Sequence, residues 1–350
     1  MTTIYDIAKR AGVSSATVSR VINEHRDVSE KTRQNVKSIM AELDFRPNAT
    51  ARGLATKSSQ LIGVFFQDHL LTGLKHPFLQ DVLSSFEVVA GEKGYDLLLF
   101  ANYSAESMDN YEARARRRDV DGVLLFGISK TDPNVSAIIK SQIPCISIDM
   151  DLYGPRTGFL ASDNVGGAIL AIDHFVENGH RDIAFFADIY NSKPGLDRLI
   201  GYQQAMNKHG LPYPSEWTLH SDFSEQGGYE AAQRLLSLEK LPSALFCASD
   251  TMALGAIEAL SMAALVVGQD ISIIGFDDIA ILKYLKPGLT TIRQNREEIG
   301  RRAAQALFDM IDCPQSHPPI LTIPTELVIR ESVACLIPSS KPVTEISPNY

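Results

Sequence analysis

Four cysteines and eight histidines among 350 residues leave little material for metal or nucleophile chemistry. Cys145, Cys247, Cys313 and Cys335 have no metal-type spacing, and two of them lie in apolar runs. The histidines form no paired motif. Buried thiols in a reducing compartment are therefore expected, with no metal and no cofactor. The G-x-S-x-G elbow, the P-loop and the G-x-G-x-x-G turn are also missing, so hydrolase, nucleotide-hydrolysing and dinucleotide chemistry lack their residues and no enzyme is expected. No apolar run reaches the roughly 18 residues of a membrane-spanning helix. No signal-peptide pattern opens the chain, so a cytoplasmic protein without a membrane partner is expected.

Charge is unevenly spread. Residues 1–58 carry ten Lys/Arg against six Asp/Glu, a net of +4, whereas the rest carries 23 against 36, a net of −13. The overall pI of 5.4 hides a basic amino-terminal module on an acidic body. Such a division suits a head that binds phosphate and a body that repels nucleic acid.

The head reads as short helices bent around a glycine. Thr3 can cap the first helix, with Asp6 three residues on, while Ile7, Ala8 and Ala11 share an apolar face. Gly12 supplies the turn and Val13 the corner. Ser14 caps a second helix in which Val18, Val21 and Ile22 face inward and Ser15, Ala16, Ser19 and Arg20 face outward. A third helix runs from the cap Ser29 to about Leu43. A structural bundle would show the same periodicity. The short, polar outer face of the second helix favours close approach to base edges in a DNA groove. Pro47 then stops the third helix and Asn48 can cap a short new one, which has little of its own to bury and is marginal in isolation.

Beyond residue 58, apolar runs at 61–66, 95–100, 123–126, 145–148, 183–186, 244–247 and 271–276 read as buried parallel strands. Amphipathic stretches at 78–93, 104–117, 164–178, 196–209, 226–236 and 251–265 read as the helices between them. Alternation of this kind predicts doubly wound parallel sheets in an α/β body long enough for two lobes. Arg114 with Arg116–Arg118 suggests a second basic patch, but these residues close a predicted helix and are followed by Asp119 and Asp121, so a solvated helix end is simpler. Ligand chemistry belongs where strands end at a cleft. Asp149 and Asp277 follow strand runs and Arg198 opens a helix, a set able to pair with the hydroxyls of a neutral polyol.

Residues 3–23, with Arg46-Pro47-Asn48-Ala49-Thr50-Ala51-Arg52-Gly53-Leu54, resemble the head of the lactose-repressor (LacI/GalR) family of bacterial transcription regulators. The resemblance continues through Ser162-Asp163-Asn164, Arg198-Leu199-Ile200-Gly201-Tyr202, Ser249-Asp250-Thr251-Met252-Ala253 and Gly275-Phe276-Asp277-Asp278, so it covers nearly the whole chain. It implies a helix-turn-helix head over 1–46, a hinge over 47–58, a periplasmic-binding-protein-like body of two lobes over 59–336 and a tail over 337–350, whose composition suggests disorder and lacks tetramer-forming heptads.

It also implies functional residues. Ser15, Ala16 and Arg20 become the base-facing group, with Arg20 either pairing bidentately with guanine or holding a phosphate. Thr3, Tyr5, Ser14, Thr17, Ser19 and Asn23 belong to the same DNA surface, and Asn48, Ala51 and Leu54 to a hinge that forms on DNA. Leu54 would wedge into the minor groove and kink the site. Leu54→Ala is expected to weaken operator binding while leaving the fold intact; a gel-shift titration returning unchanged affinity would sink the wedge. Asp149, Arg198 and Asp277 match effector-contacting positions, and Phe78 and Phe223 match positions of a stacking aromatic, although Phe78 could equally be core. Ser249 departs from the family's usual asparagine, which alters hydrogen bonding to the effector, and Asp250 is expected to cap the helix it opens.

The function so implied is a homodimeric repressor of a roughly palindromic double-stranded operator, controlled by a small effector. A sugar is the expected effector, with a nucleobase or a protein co-regulator as alternatives. A sugar-binding module without regulatory role, or a sugar-modifying enzyme, would have no use for the basic head.

Overall fold

The structure is a computed structural model that describes residues 2–22, 25, 27–45, 58–66, 77–101, 110–128, 132–190 and 192–337. Contacts divide the chain into a small amino-terminal unit and a large unit.

The small unit holds α1 (Ile4–Ala11), α2 (Ser15–Ile22) and α3 (Glu30–Glu42). Thr3 and Asp6 form a reciprocal cap: the Thr3 hydroxyl accepts from the Asp6 amide, and Asp6 Oδ2 accepts from the Thr3 amide at 2.8 Å. The Thr3 hydroxyl and amide, both donating to Asp6 Oδ2, hold the Asp6 carboxyl below its ordinary range. Gly12 ends α1 at φ +66°, a conformation that carries no steric cost without a Cβ. Ile7, Ala8, Val18, Val21, Val36 and Ile39 close the core, so each helix buries the face its periodicity marks.

The large unit contains two six-stranded sheets. The first lobe holds β1 (Leu61–Phe66), β2 (Asp96–Phe100), β3 (Gly122–Phe126), β4 (Cys145–Ile148), β5 (Thr157–Ser162) and β11 (Ile320–Ile323), in the order β11-β5-β4-β3-β1-β2. The second holds β6 (Ile183–Ala187), β7 (Thr218–His220), β8 (Ala244–Cys247), β9 (Ser272–Asp277), β10 (Thr290–Gln294) and β12 (Thr325–Val328), in the order β12-β10-β9-β8-β6-β7. The pairings β3–β4–β5–β11 and β7–β6–β8–β9–β10 are parallel, whereas β12 runs antiparallel to β10. Strand β2, expected as a buried strand, lies at an edge and leaves Asp96 and Leu99 exposed.

Helices cover the sheets: α4 (Pro77–Glu92), α5 (Tyr111–Arg117) and α6 (Val135–Lys140) belong to the first lobe, and α7 (Asn164–Glu177), α8 (Lys193–Lys208), α9 (Glu225–Leu236) and α10 (Asp250–Met262) to the second. Late in sequence, α11 (Arg296–Asp312) returns to the first lobe, where Ile299, Leu307 and Phe308 join Ile62, Phe86 and Leu124 in one core. The predicted helix from residue 104 is described only from Tyr111, because 102–109 lie outside the described residues.

The chain crosses between lobes three times, after Ser162, after Gln294 and after Ile323. The crossings are bonded to one another: the Asp163 amide donates to the Ile323 carbonyl at 2.8 Å, and the Thr325 hydroxyl donates to the Asp163 carbonyl at 3.2 Å. Among the described residues no helix is long and apolar enough to cross a membrane.

Candidate DNA-reading helix and ligand cleft

The outer face of α2 is polar. Ala16 and Arg20 are exposed, while Ser15, Thr17 and Ser19 are half-buried; Tyr5 on α1 is 72% exposed. Two of the expected hydroxyls serve local structure. Ser14 Oγ accepts from the Thr17 amide at 3.0 Å and lies 2.9 Å from Thr17 Oγ1, so it caps α2. Thr3 is occupied in the α1 cap. Arg20 pairs with Asp27 at 2.9 Å, but both side chains are more than half exposed, so solvent screens the pair and the guanidinium is cheaply redirected to a base or a phosphate. Asn23, Asn48, Ala51 and Leu54 lie outside the described residues, as does the tail beyond 337.

In the large unit, strand ends bring a charged cluster together across the two lobes. Arg198 lies in the second turn of α8, whose cap is Ser192, rather than at the helix's opening. Its side chain is buried. Nε donates to Asn164 Oδ1 at 2.9 Å, Nη1 donates to the Ala248 carbonyl, and the guanidinium carbon stands 3.6 Å from the centre of the Phe276 ring. Asp149 follows β4 in the first lobe, and Asp277 ends β9 in the second. Both have left-handed backbones, φ 57° and 118°, as does Phe223 at 66°. Aspartate tolerates the angle at Asp149, but φ 118° at Asp277 and a left-handed aromatic at Phe223 are costly and persist only where surrounding contacts hold them. Phe223 stands 5.9 Å from the Arg198 guanidinium, half-buried.

Electrostatics follow from burial. Burial pushes the Asp149 carboxyl up to about 6, opposed by the Arg198 charge and by a hydrogen bond from the Ser162 backbone. Burial likewise pulls Arg198 below the ordinary guanidinium range, resisted by Asp277 and Asp149. Asp250 is raised well above the carboxylate range by burial and by Asp277 beside it. One guanidinium thus faces several carboxyls, and the surplus is relieved by protonation. Asp149 Oδ1, Asn164 Nδ2 and Ser221 Oγ are buried and unbonded among the described residues. The acceptor on Asp149 and the donor on Asn164, held ready in this way, suit a neutral ligand carrying hydroxyl groups.

The structure bears on three further expectations and corrects the last of them. Phe78 is 4% exposed, within the first-lobe core and stacked on Phe126 at 5.6 Å, which fits the core alternative. Ser249 is the N-cap of α10, accepting from the Met252 amide at 3.1 Å, so its hydroxyl oxygen is already engaged. Asp250 therefore is not the cap. Its carboxyl accepts from the Ile279 amide at 2.9 Å and the Thr291 hydroxyl at 2.6 Å, which ties down the loop after Asp277. Sequence reasoning overlooked Asn164 as a site residue. Asn164 stood inside a recognised motif, but its role depends on a partner 34 residues away.

Comparison with known proteins agrees with this architecture. The family model for bacterial regulatory proteins of the lacI family matches residues 3–48, and that for a periplasmic binding protein-like domain matches residues 172–333. The HTH-type transcriptional repressor PurR of Actinobacillus pleuropneumoniae serotype 3 (strain JL03) is 35% identical over 336 residues, covering 95% of this chain and 98% of that protein. PurR of Histophilus somni (strain 2336) is 32% identical over 338 residues, 96% of this chain and all of its own. Among solved structures, the lac repressor dimer bound to operator and the anti-inducer ONPF superposes with a TM-score of 0.81 at 28% identity, covering 95% of this chain and 99% of that one. A complex of the transcriptional regulator CelR with cellobiose gives 0.71 at 29% identity, covering 95% and 100%. A LacI family regulator from Enterococcus faecium with bound ribose gives 0.70 at 28% identity, covering 79% and 100%. The relatives are repressors and not enzymes, and neither is this chain an enzyme. With a helix-turn-helix head on a two-lobed body and full-length kinship to known repressors, the chain belongs to the lacI family of bacterial regulatory proteins and is a DNA-binding transcriptional repressor.

Proposed function

We propose that this repressor works in the cytoplasm as a homodimer on a roughly palindromic operator, and that a sugar bound by Asp149, Arg198 and Asp277 controls its affinity for DNA. Residues 1–46 form the reading head, 47–58 the hinge and 59–336 the effector-binding and dimerisation body. The cluster of Asp149, Asn164, Arg198 and Asp277 carries the ligand reading, because it offers unbonded polar atoms in a buried site that draws on both lobes. A ligand that favours one lobe arrangement shifts the equilibrium only by its differential affinity, and the coupling is reciprocal: if sugar weakens operator binding, operator weakens sugar binding by the same factor. Cellobiose and ribose in structural neighbours support a sugar, while kinship to the PurR repressors at higher identity supports the nucleobase alternative.

Thermal unfolding against sugars, sugar phosphates and nucleobases tests this. A ligand at about 100 times its Kd stabilises the folded state by roughly 2.7 kcal/mol, which raises the midpoint measurably. A shift with nucleobases alone would overturn the sugar, and no shift at all would overturn the small-molecule effector in favour of a protein co-regulator.

Asp149 gives that binding a pH signature. Its folded pKa of about 6 lies above the ordinary 3.8, so the stability it contributes is present below pH 3.8 and lost as pH rises through 6. Ligand binding has the opposite sign, since the ionised carboxylate is the stronger acceptor. Sugar affinity should be flat above pH 7 and fall by up to about tenfold per unit below pH 6, read by calorimetric titration.

For the head, Arg20→Ala should cost about 1–3 kcal/mol of operator affinity and relax selection at one base pair per half-site, measured by site selection from random duplexes. A uniform loss across sequences, with a salt slope lower by about one, would assign Arg20 to a phosphate instead.

A further inference from the structure

Gln294 is the last residue of β10, at the second crossing, and Ser162 is the last residue of β5, at the first. Both are 3% exposed. Gln294 Nε2 donates to Asp277 Oδ1 at 2.5 Å, and Gln294 Oε1 accepts from Ser162 Oγ at 2.5 Å. Chemistry fixes the direction of both bonds. The amide turns its NH2 to Asp277 and its carbonyl, which only accepts, to Ser162, whose hydroxyl therefore donates. On the other lobe's acid, the Asp149 amide donates to the carbonyl of Leu160, two residues before Ser162 in β5, at 2.9 Å. The two cleft acids, one from each lobe, are thus both tied to β5: Asp277 through Gln294 and Ser162, and Asp149 through its backbone bond to Leu160. The other bonds between crossings, from the Asp163 amide and the Thr325 hydroxyl, end on main-chain carbonyls and touch neither carboxylate.

We propose that Ser162 and Gln294 are positioning residues: they set the spacing of Asp149 and Asp277 across the cleft and carry ligand occupancy at Asp277 into the first lobe. The reading rests on the cleft being the effector site. A ligand that pulls on Asp277 must strain or release a bond whose far end is the terminus of β5, so ligand fit and lobe spacing are one variable. Buried hydrogen bonds of this kind are coupled, and losing one partner leaves the next unsatisfied.

The full chain carries its own reporters. Cys313 follows α11 on the first lobe and is exposed; Cys335 follows Ala334, whose amide bonds Ser272 Oγ on the second lobe, and is exposed too. Cys145 and Cys247 are buried. Spin labels on Cys313 and Cys335, diluted with unlabelled protein, report the distance between lobes by double electron–electron resonance without any ligand. Gln294→Met, which keeps the length and removes both bonds, should broaden and shift that distribution. Ser162→Ala, which removes only the hydroxyl, should do the same, and the double variant should add little. Gln294→Glu separates positioning from packing. At pH 8 its charge opposes Asp277 and the distribution broadens; at pH 5 a protonated carboxyl both donates and accepts as the amide did, and the wild-type distribution at that pH returns. Folded Gln294→Met and Ser162→Ala proteins with wild-type distributions would overturn the bridge. The ligand reading is scored separately, by thermal shift with D-ribose and cellobiose as probes. A sugar shift with unmoved distances fails the bridge alone, and moved distances without any sugar shift fail the ligand reading alone.

Discussion

Arg198→Ala should cost the second lobe about 3–5 kcal/mol of stability and abolish the response to effector. The guanidinium is buried with hydrogen bonds to Asn164 and to the Ala248 carbonyl, and it lies over the Phe276 ring. Its removal leaves those acceptors unmet and strips Asp149, Asp277 and Asp250 of their counter-charge. The carboxyls escape by taking up protons, so the loss should shrink as pH falls toward 5. The protein's single tryptophan, Trp217, is buried in the second lobe and reports its unfolding by fluorescence. With a urea slope of about 2 kcal/mol/M, the midpoint should fall by roughly 1.5–2.5 M at pH 7.5. Arg198→Lys keeps the charge and loses the fork, so it should recover part of the stability but little of the ligand response. A midpoint within experimental error of wild type would mean that Arg198 is not the counter-ion of this cluster.

Gly255→Ala should be nearly as damaging, against the expectation from helix propensity, which favours alanine by about 1 kcal/mol. A Cβ at Gly255 in α10 would sit 1.8 Å from the Glu225 carbonyl oxygen and 2.8 Å from the Tyr229 nitrogen, both backbone atoms of α9. Gly228 in α9 meets the mirror condition, with Met252 O at 2.1 Å. The two helices touch backbone to backbone through these glycines, and no side chain can move aside to make room. Overpacking costs about 1–3 kcal/mol where side chains yield, and the upper end or beyond applies where only helix displacement can relieve it. The same Trp217 transition should fall by more than 1 M, and an unchanged or raised midpoint would show that α9 and α10 are free to separate.

Much of this molecule is legible from local chemistry. The head's caps, its glycine turn and its inward faces are set by residues within four positions of one another, and the structure places Thr3, Asp6, Gly12, Val18 and Val21 accordingly. The apolar runs of β1, β4 and β8 have bounds that match their burial, because a strand covered on both faces must be apolar throughout. The doubly wound class follows from strand and helix alternation.

What local pattern could not supply are relations between distant segments. Strands β5, β10, β11 and β12 are short and mixed in polarity, and they become strands by pairing at the crossings. Helix α11 belongs to the first lobe only because the chain returns there after β10. That Phe78 stacks on Phe126, and that Ser249 rather than Asp250 caps α10, is likewise set by distant packing and local geometry that residue type does not reveal. Burial and partner, rather than residue type, decide each of these. The same holds for the cleft. Arg198 and Asp277 stand out as residue types in a known pattern, but Ser162 and Gln294 are ordinary polar residues 132 positions apart. Local sequence specifies which groups are present and which short elements they form, since those depend on neighbours along the chain. Only the fold decides which polar group meets which across two lobes, since a hydrogen bond depends on position in space to within a few tenths of an ångström.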